Sequence, residues 1–470
     1  MNVQNKINEI MGKLHNSFDV TKRILKKNNL EIGFVYLKSM TDGKMFAESI
    51  YEPILQNEIK SFDDVEKFVK ANDVQIVSND EIVDKILLGN VIVFISSSEK
   101  FLGVEILKFN ERTPTEPPTS PVIMGPREGF TEDVKINMTL LRRHFYSEKL
   151  VFEKLNVGDL TKTKVVVAYL DGITDKKIVE QVMKKLKSIK IDGVVDSYYL
   201  SSLLSNRPNS LLKQVGGVEK PDIVSAKMLE GRVAILVDNS PIVLTVPFVL
   251  LEDLQNSNDY YSNYIYSTLL RFVRVFAILL AIFGPGIYIA LQLFHYNVLP
   301  LKYLITIADA TQQIPFTPFI EILFISLLFQ ILYEVSLRLP SYLGLATSIV
   351  GALILGDTGV KAGLISPPSV IIVAIAKIAL YTVPEQSAQI TVLQFVFLIL
   401  GASLGLLGIV GGAIYFVSYA NSIENFGAPY LAPFSPFIFS DNKDGILKVP
   451  IDKMNKRPKF FSNKKKDRLR

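Results

Sequence analysis

Six ionisable residues stand where the chain is otherwise almost free of charge: Glu321, Glu334, Arg338, Asp357, Lys361 and Lys377. Between residues 275 and 420 only nine of the chain's 97 charged side chains occur, the other three being Lys302, Asp309 and Glu385. A charge in hydrocarbon costs about 3 kcal/mol or more, so such groups face a partner, a bundle interior or water, and they are functional candidates by default. Glu334 and Arg338 are four apart, as are Asp357 and Lys361, a spacing that sets each pair on one helical face. Each pair can hold helices together near an interface, or it can help line an aqueous path for ions. Lys377 has no partner nearby in sequence; it can snorkel, or it can pair with Glu321 from another helix. Gly284, Pro285 and Gly286 interrupt an apolar run and form a candidate hinge.

The elements that must carry these groups are apolar helices of about 20 residues. The first such run is 272–294, and its Gly-Pro-Gly triplet weakens the helix at mid-depth, which is tolerated where neighbours or water satisfy the freed backbone groups. The second is 319–339. Residues 342–381 are long and interrupted at Gly356-Asp357-Thr358-Gly359 and at Ser366-Pro367-Pro368, which suggests a short or re-entrant helix followed by a full span. The last run, 392–419, carries Gly401, Gly405, Gly408, Gly411 and Gly412 at close-packing spacing. Arg271 and Arg274 precede the first run and a basic tail follows the last, which puts both ends on the cytoplasmic side. That requires an even number of crossings, and four full spans with a broken segment fit.

The remainder of the 470 residues is a different material. The other 88 charged residues lie outside 275–420, so the chain is made for two solvents. The net charge of +5 comes from the tail: residues 441–470 hold eleven Lys and Arg against four Asp and Glu, +7, leaving −2 elsewhere. This argues against a nucleic-acid binder with a basic folded face, and it suits a tail resting on anionic headgroups or simply solubilising. The absence of cysteine removes disulfides, iron–sulfur clusters and thiolate metal sites. Residues 1–30 are polar and lysine-rich, without the apolar segment of a signal peptide. No cofactor motif is present.

The front half repeats itself. Tyr36-Leu37-x-x-Met40-Thr41-Asp42-x-Lys44-Met45 returns as Tyr169-Leu170-x-x-Ile173-Thr174-Asp175-x-Lys177-Ile178, an offset of 133. Asp80-x-Ile82-x-x-Lys85-Ile86-Leu87-x-Gly89-x-Val91 returns as Asp222-x-Val224-x-x-Lys227-Met228-Leu229-x-Gly231-x-Val233, an offset of 142. Two blocks in the same order mean a duplicated domain. In each copy a β-branched strand runs into Thr-Asp, a glycine stops a later helix, and a hairpin follows. The Thr-Asp-x-Lys blocks invite a catalytic reading, but a helix cap in each copy is the plainer one. The expected fold class is α+β, a duplicated cytoplasmic α/β domain followed by a multi-span α-helical membrane bundle. The expected boundaries are a polar helix at 1–30, copy 1 at 31–109, a Pro-rich linker and helix at 110–160 (the helix over 131–155), copy 2 at 161–250, the bundle at 260–436 and a basic tail at 437–470.

Several motifs then carry a resemblance. Arg271…Pro285-Gly286-Ile287-Tyr288-Ile289-Ala290-Leu291…His295…Leu299-Pro300, Pro315-Phe316-Thr317-Pro318…Glu321, Glu334…Leu337-Arg338-Leu339-Pro340, Ile349-Val350-Gly351-Ala352-Leu353 and Phe426-Gly427-Ala428-Pro429-Tyr430-Leu431-Ala432-Pro433 resemble the A subunits of GerA-type spore germination receptors. The resemblance covers nearly the whole chain and is strongest over 222–436. It implies a multi-pass protein of the bacterial spore inner membrane with its N-terminal domain and tail cytoplasmic. It also implies a transporter-like B subunit that binds the nutrient, a lipoprotein C subunit, and a homo-oligomer, proposed for the family as a pentamer, that forms a ligand-gated ion channel. Tyr333 replaces a usual arginine, Asp357 and Lys361 stand where glutamine- and glutamate-like residues are common, and Glu424-Asn425 replaces an Arg-Ser-like pair. Ion preference therefore does not transfer. A paralogous group associated with the dipicolinate channel shares these motifs.

Two other classes compete. A secondary transporter would use broken helices around a midplane site, but no inverted repeat is visible and the spans are few. An enzyme would need chemistry in the duplicated domain, which shows no glycine-rich phosphate loop, no metal-ligand spacing and three histidines only, His15, His144 and His295.

Overall fold

The structure is a computed structural model. It describes all residues except 1, 28–29, 72, 108–121, 123, 313, 341–348, 352, 462–466 and 468–470. The chain packs as two units, one of residues 1–249, 424–429 and 451–470, the other of 250–423 and 430–450.

The first unit holds two five-stranded antiparallel sheets of the same topology. Strands β1 (Val20–Lys27), β2 (Leu30–Leu37), β3 (Val74–Val77), β4 (Asn90–Ile95) and β5 (Phe101–Glu105) lie in the order β1-β2-β4-β5-β3. Strands β6 (Leu150–Val157), β7 (Thr163–Leu170), β8 (Gly216–Val218), β9 (Val233–Val237) and β10 (Val243–Val246) lie in the order β6-β7-β9-β10-β8. The central strands β4 and β9 are buried along their whole length, so each sheet is covered on both faces. On sheet 1, the helix Val3–Lys13 covers one face through Val3, Ile7 and Ile10, while Phe46, Ile50, Phe62 and Val65 cover the other. Sheet 2 repeats this, with the helices Val134–His144 and Pro221–Leu229 on one face and Lys176–Ser188 and Ser197–Leu204 on the other.

Two expected boundaries move. The polar segment 1–30 is a helix only over Val3–Lys13; Val20–Lys27 is an edge strand paired with β2 from Val20↔Leu37 to Lys27↔Leu30. The helix expected over 131–155 likewise stops at His144, and Leu150–Val157 pairs with β7. The repeat unit therefore begins earlier in each copy, with a helix and an edge strand. The caps are those the repeat suggests: Asp42 accepts from the Lys44 and Met45 amides, and Asp175 from the Lys177 amide. Gly89 and Gly231 end their helices at φ +91° and +98°. Pro114, Pro117, Pro118 and Pro121 of the linker lie outside the described residues. The copies are joined by a buried ion pair. Arg142 grips Asp19 at 2.8 and 3.0 Å, both side chains only 1% exposed.

The second unit is helical. Among the described residues three helices are long and apolar enough to cross a membrane, Tyr264–Leu293, Pro318–Arg338 and Pro384–Asn421. The shorter apolar helix Pro367–Leu380 has 14 residues, about 21 Å at 1.5 Å per residue. A further helix, Leu301–Thr311, has no counterpart in the expected elements.

The last of the three long helices is not one rod. At about 57 Å a straight helix over Pro384–Asn421 would greatly exceed the hydrocarbon core. Gly405 has φ 62° and ψ −148°, and the chain turns back there. A Cβ on Gly408 would lie 2.6 Å from the Leu400 carbonyl oxygen, and one on Gly412 would lie 3.0 Å from the Phe397 ring. In a straight helix those pairs would be about 12 and 22 Å apart. The ends agree. Gln386, before the first leg, donates to Asp253 at 2.6 Å. Ile423, after the second leg, accepts from the Tyr430 amide, and the Tyr430 carbonyl accepts from the Leu250 amide. The first leg thus begins, and the second ends, beside 250–254, and where one final span over 392–419 is expected the chain makes a helical hairpin.

Candidate functional site

The six charged candidates fall into three kinds of place. Glu334–Arg338 and Asp357–Lys361 are ion pairs at 2.6 and 2.8 Å, each within one helical turn and each exposed on this chain. Their neighbours Leu337, Leu353 and Ile354 are exposed too. The pairs sit at opposite ends of the bundle. Glu334 and Arg338 close the C-terminal end of Pro318–Arg338. Asp357 and Lys361 lie by Ile365, which packs on Ile322 at the N-terminal end of the same helix. The returning segment runs against that helix, as Gly351 meets Leu332.

Lys377 is buried, 6% exposed, on the helix Pro367–Leu380. Its ammonium donates to Gln330 at 3.2 Å and lies over the Phe395 ring. It does not reach Glu321, so the pairing that the sequence allows is not made. Glu321 is 1% exposed and accepts from the Ser366 amide at 2.5 Å, bridging the N-terminal ends of two helices. The N-terminal dipoles of both helices favour a carboxylate there, although the prolines at their first positions leave few amides to bond it.

The helix Tyr264–Leu293 runs through Gly284, Pro285 and Gly286 without a break. The triplet makes a close contact instead. A Cβ on Gly286 would fall 2.6 Å from the Phe397 carbonyl oxygen, and Gly401 packs on the Gly286 backbone from the other side of that contact. The sharp backbone turn of the bundle lies at Gly405, which rests against Phe294 and His295 at the far end of the same long helix.

One constellation escapes sequence reasoning. Arg271 and Arg274, which read in the sequence as orientation signals, are locked into an ionic cluster. Arg274 grips Asp259 with two bonds of 2.7 Å, and Arg271 reaches Asp259 at 3.1 Å and Asp444 at 3.0 Å. Lys448 donates to the Asp259 carbonyl. Burial pushes the Asp259 carboxyl up, but the hydrogen bond and charge of Arg274, with Arg271 behind it, win and hold it below the usual carboxylate value. The cluster straps 444–448 onto the start of the first long helix. Its sequence signal is a pair of arginines with Asp259, 12 and 15 residues before them, and Asp444 far along the chain.

Among the described residues no group of three or more His, Asp or Glu is placed to hold a metal ion. A duplicated α/β domain, apolar helices of spanning length and buried or paired charges on those helices define a class, a polytopic membrane-type protein with a folded head. The family follows from comparison. The family model of the Bacillus/Clostridium GerA spore germination protein matches residues 6–460, and this chain belongs to that family. It is similar to spore germination protein KA of Bacillus subtilis (strain 168), 32% identical over 99% of this chain and 87% of that protein. It is also similar to spore germination protein A1 of the same organism, 32% identical over 97% of this chain and 94% of that protein. The membrane protein YfkQ of that organism is 34% identical over 94% of this chain and 88% of its own length. Among solved structures, the crystal structure of the N-terminal domain of the A subunit of the Bacillus megaterium spore germinant receptor GerK3 aligns with 51% of this chain and 92% of that one, at 25% identity and a TM-score of 0.41.

Proposed function

We propose that this chain is the A subunit of a nutrient germinant receptor in the spore inner membrane, an oligomer that forms a gated ion path whose opening starts germination. The family match over residues 6–460 carries the receptor reading. In this reading the chain works with a transporter-like B subunit, which binds the nutrient, and a lipoprotein C subunit. The duplicated head and the tail are cytoplasmic, and copies assemble as a ring, five being the number the family resemblance implies.

The ion path is supported by the two exposed pairs. Glu334–Arg338 sits on a helix of membrane composition and Asp357–Lys361 on short helical turns over 354–361, yet each is open on the isolated chain. Facing lipid they would be heavily penalised, and facing water or a neighbouring copy they are not. Their places at opposite ends of one helix suit the two mouths of a path. Gly286 and Gly401 bring the first long helix and the hairpin into backbone contact, so a shift of the triplet moves both.

The test is monovalent-ion release from spores carrying Glu334→Ala or Lys361→Ala. Altered release kinetics at normal protein levels are expected. Normal kinetics in both variants overturn the assignment of the path, and recovery of the chain as a strict monomer with its partners present overturns the ring.

A further inference from the structure

Glu321 is the one charged candidate whose burial is nearly complete and whose charge no side chain answers. Among the described residues its carboxylate makes no ion pair; its partner is the Ser366 amide. That amide stands at the head of Pro367–Leu380, where Pro367 and Pro368 bring no N–H of their own. A helix end that would ordinarily present several donors to an anion presents few. The nearest buried cation in the bundle, Lys377, is eight residues further along the helix than Ser369, about 12 Å, and is engaged by Gln330.

Two buried hydroxyls stand at the same helix end. Ser366 Oγ donates to Ser369 Oγ at 2.9 Å, and both serines are fully buried. The Tyr288 hydroxyl is buried and makes no geometric hydrogen bond, and its ring packs in the same cluster as Ile322 and Ile365, the sequence neighbours of Glu321 and Ser366. These four residues come from the first long helix (Tyr288), the helix Pro318–Arg338 (Glu321) and the N-terminal end of Pro367–Leu380 with its cap (Ser366 and Ser369). A buried carboxylate needs neutralising, and a buried hydroxyl needs a partner. One bound cation meets both needs. Carboxylate and hydroxyl oxygens suit hard cations, and a single carboxylate balances a single positive charge.

We propose that Glu321, Ser366, Ser369 and Tyr288 form an oxygen-lined site for one monovalent alkali cation within the helical unit. The site deepens the ion-path reading and rests on it for its role, but its occupancy can be measured without any transport. Full-length protein, purified in detergent, would be equilibrated with radioactive sodium or with rubidium as a potassium substitute. Saturable binding of one of these ions, about one per chain, is expected. Glu321→Gln keeps a carbonyl for the Ser366 amide while removing the charge, and it should weaken binding by about tenfold or more. Ser369→Ala should weaken it less, and Asp309→Asn, at an exposed carboxylate of the same unit, should leave it unchanged. Wild-type protein that binds neither ion, or Glu321→Gln protein that binds as well as wild type, overturns the site. So does equal loss in Asp309→Asn, which would mean diffuse charge rather than a built site. Binding that is intact in a chain whose Glu334→Ala and Lys361→Ala spores release ions normally would leave this site standing and remove only the assigned path.

Discussion

Replacing Arg142 by alanine should be among the most damaging single changes in the first unit. Arg142 and Asp19 meet through two bonds of 2.8 and 3.0 Å, with both side chains 1% exposed. Arg142 also reaches the Ser147 carbonyl and Ser17 and stacks on Phe152. Alanine would leave Asp19 buried with hydroxyls of Ser17 and Ser39 as its remaining side-chain partners. Breaking a buried pair in this way costs about 3–5 kcal/mol, because a charge is left uncompensated. For large domains each kcal/mol moves the midpoint by roughly 2–4 °C, so a fall of about 6–20 °C is expected. The chain has no tryptophan, so circular dichroism of the detergent-purified protein, at one fixed scan rate, is the suitable readout. The double variant Asp19→Asn with Arg142→Met removes both charges and keeps an acceptor for the two serines. It should recover most of the loss. A shift of less than about 2 °C for Arg142→Ala, or a double variant no better than the single one, would refute the reasoning.

Three further outcomes follow from particular contacts. Gly286→Ala should lower the thermal midpoint by the equivalent of about 1–3 kcal/mol, since its Cβ meets the Phe397 backbone at 2.6 Å. Gly284→Ala, whose Cβ would meet only Leu280 at 3.4 Å, should stay near wild type, and equal effects would dissolve the contact argument. Asp259 has a folded carboxyl below its usual value, so its contribution is fully present above about pH 4 and fades as pH falls through the lower folded value. Hydrogen exchange at 444–448 should therefore be faster in Asp259→Asn than in wild type at neutral pH, and the difference should shrink as acid protonates Asp259; no such difference at neutral pH would contradict the cluster. Because the chain has no cysteine, single thiols report topology cleanly. Cysteines at Glu385 and Ser422 should label from one side of the membrane and one at Leu404 should not label from that side, whereas Glu385 and Ser422 on opposite sides would unmake the hairpin.

The duplication is legible because its signals are local. Thr-Asp caps and helix-stopping glycines depend on neighbouring residues, and Asp42, Asp175, Gly89 and Gly231 all behave as their surroundings dictate. The edge strands are not legible. Val20–Lys27 carries Lys22, Arg23, Lys26 and Lys27 and exposes most of its side chains, so only its pairing with β2 makes it a strand. Leu150–Val157 alternates buried and exposed at its end, but it follows a well-marked helix start that draws the reading onward. The reversal at Gly405 is invisible to hydropathy, since the run on either side is equally apolar; the glycine spacing shows close packing and not which helix is packed against. Arg271 and Arg274 read as orientation signals, because nothing local shows that Asp259 folds back on them or that Asp444, 173 residues from Arg271, joins them. Glu321 and Lys377 stand out as costly, but periodicity cannot say that Ser366 and Gln330 take them. The membrane character, by contrast, comes through plainly from nine charges in 146 residues.

The most direct test of the account is made in spores of the source organism lacking this chain. Release of monovalent cations would be recorded after exposure to amino acids, sugars and nucleosides in turn. The account predicts that release to at least one nutrient is lost or strongly delayed and is restored by the wild-type chain but not by a variant lacking both Glu334 and Lys361. Release matching that of intact spores for every nutrient would contradict it.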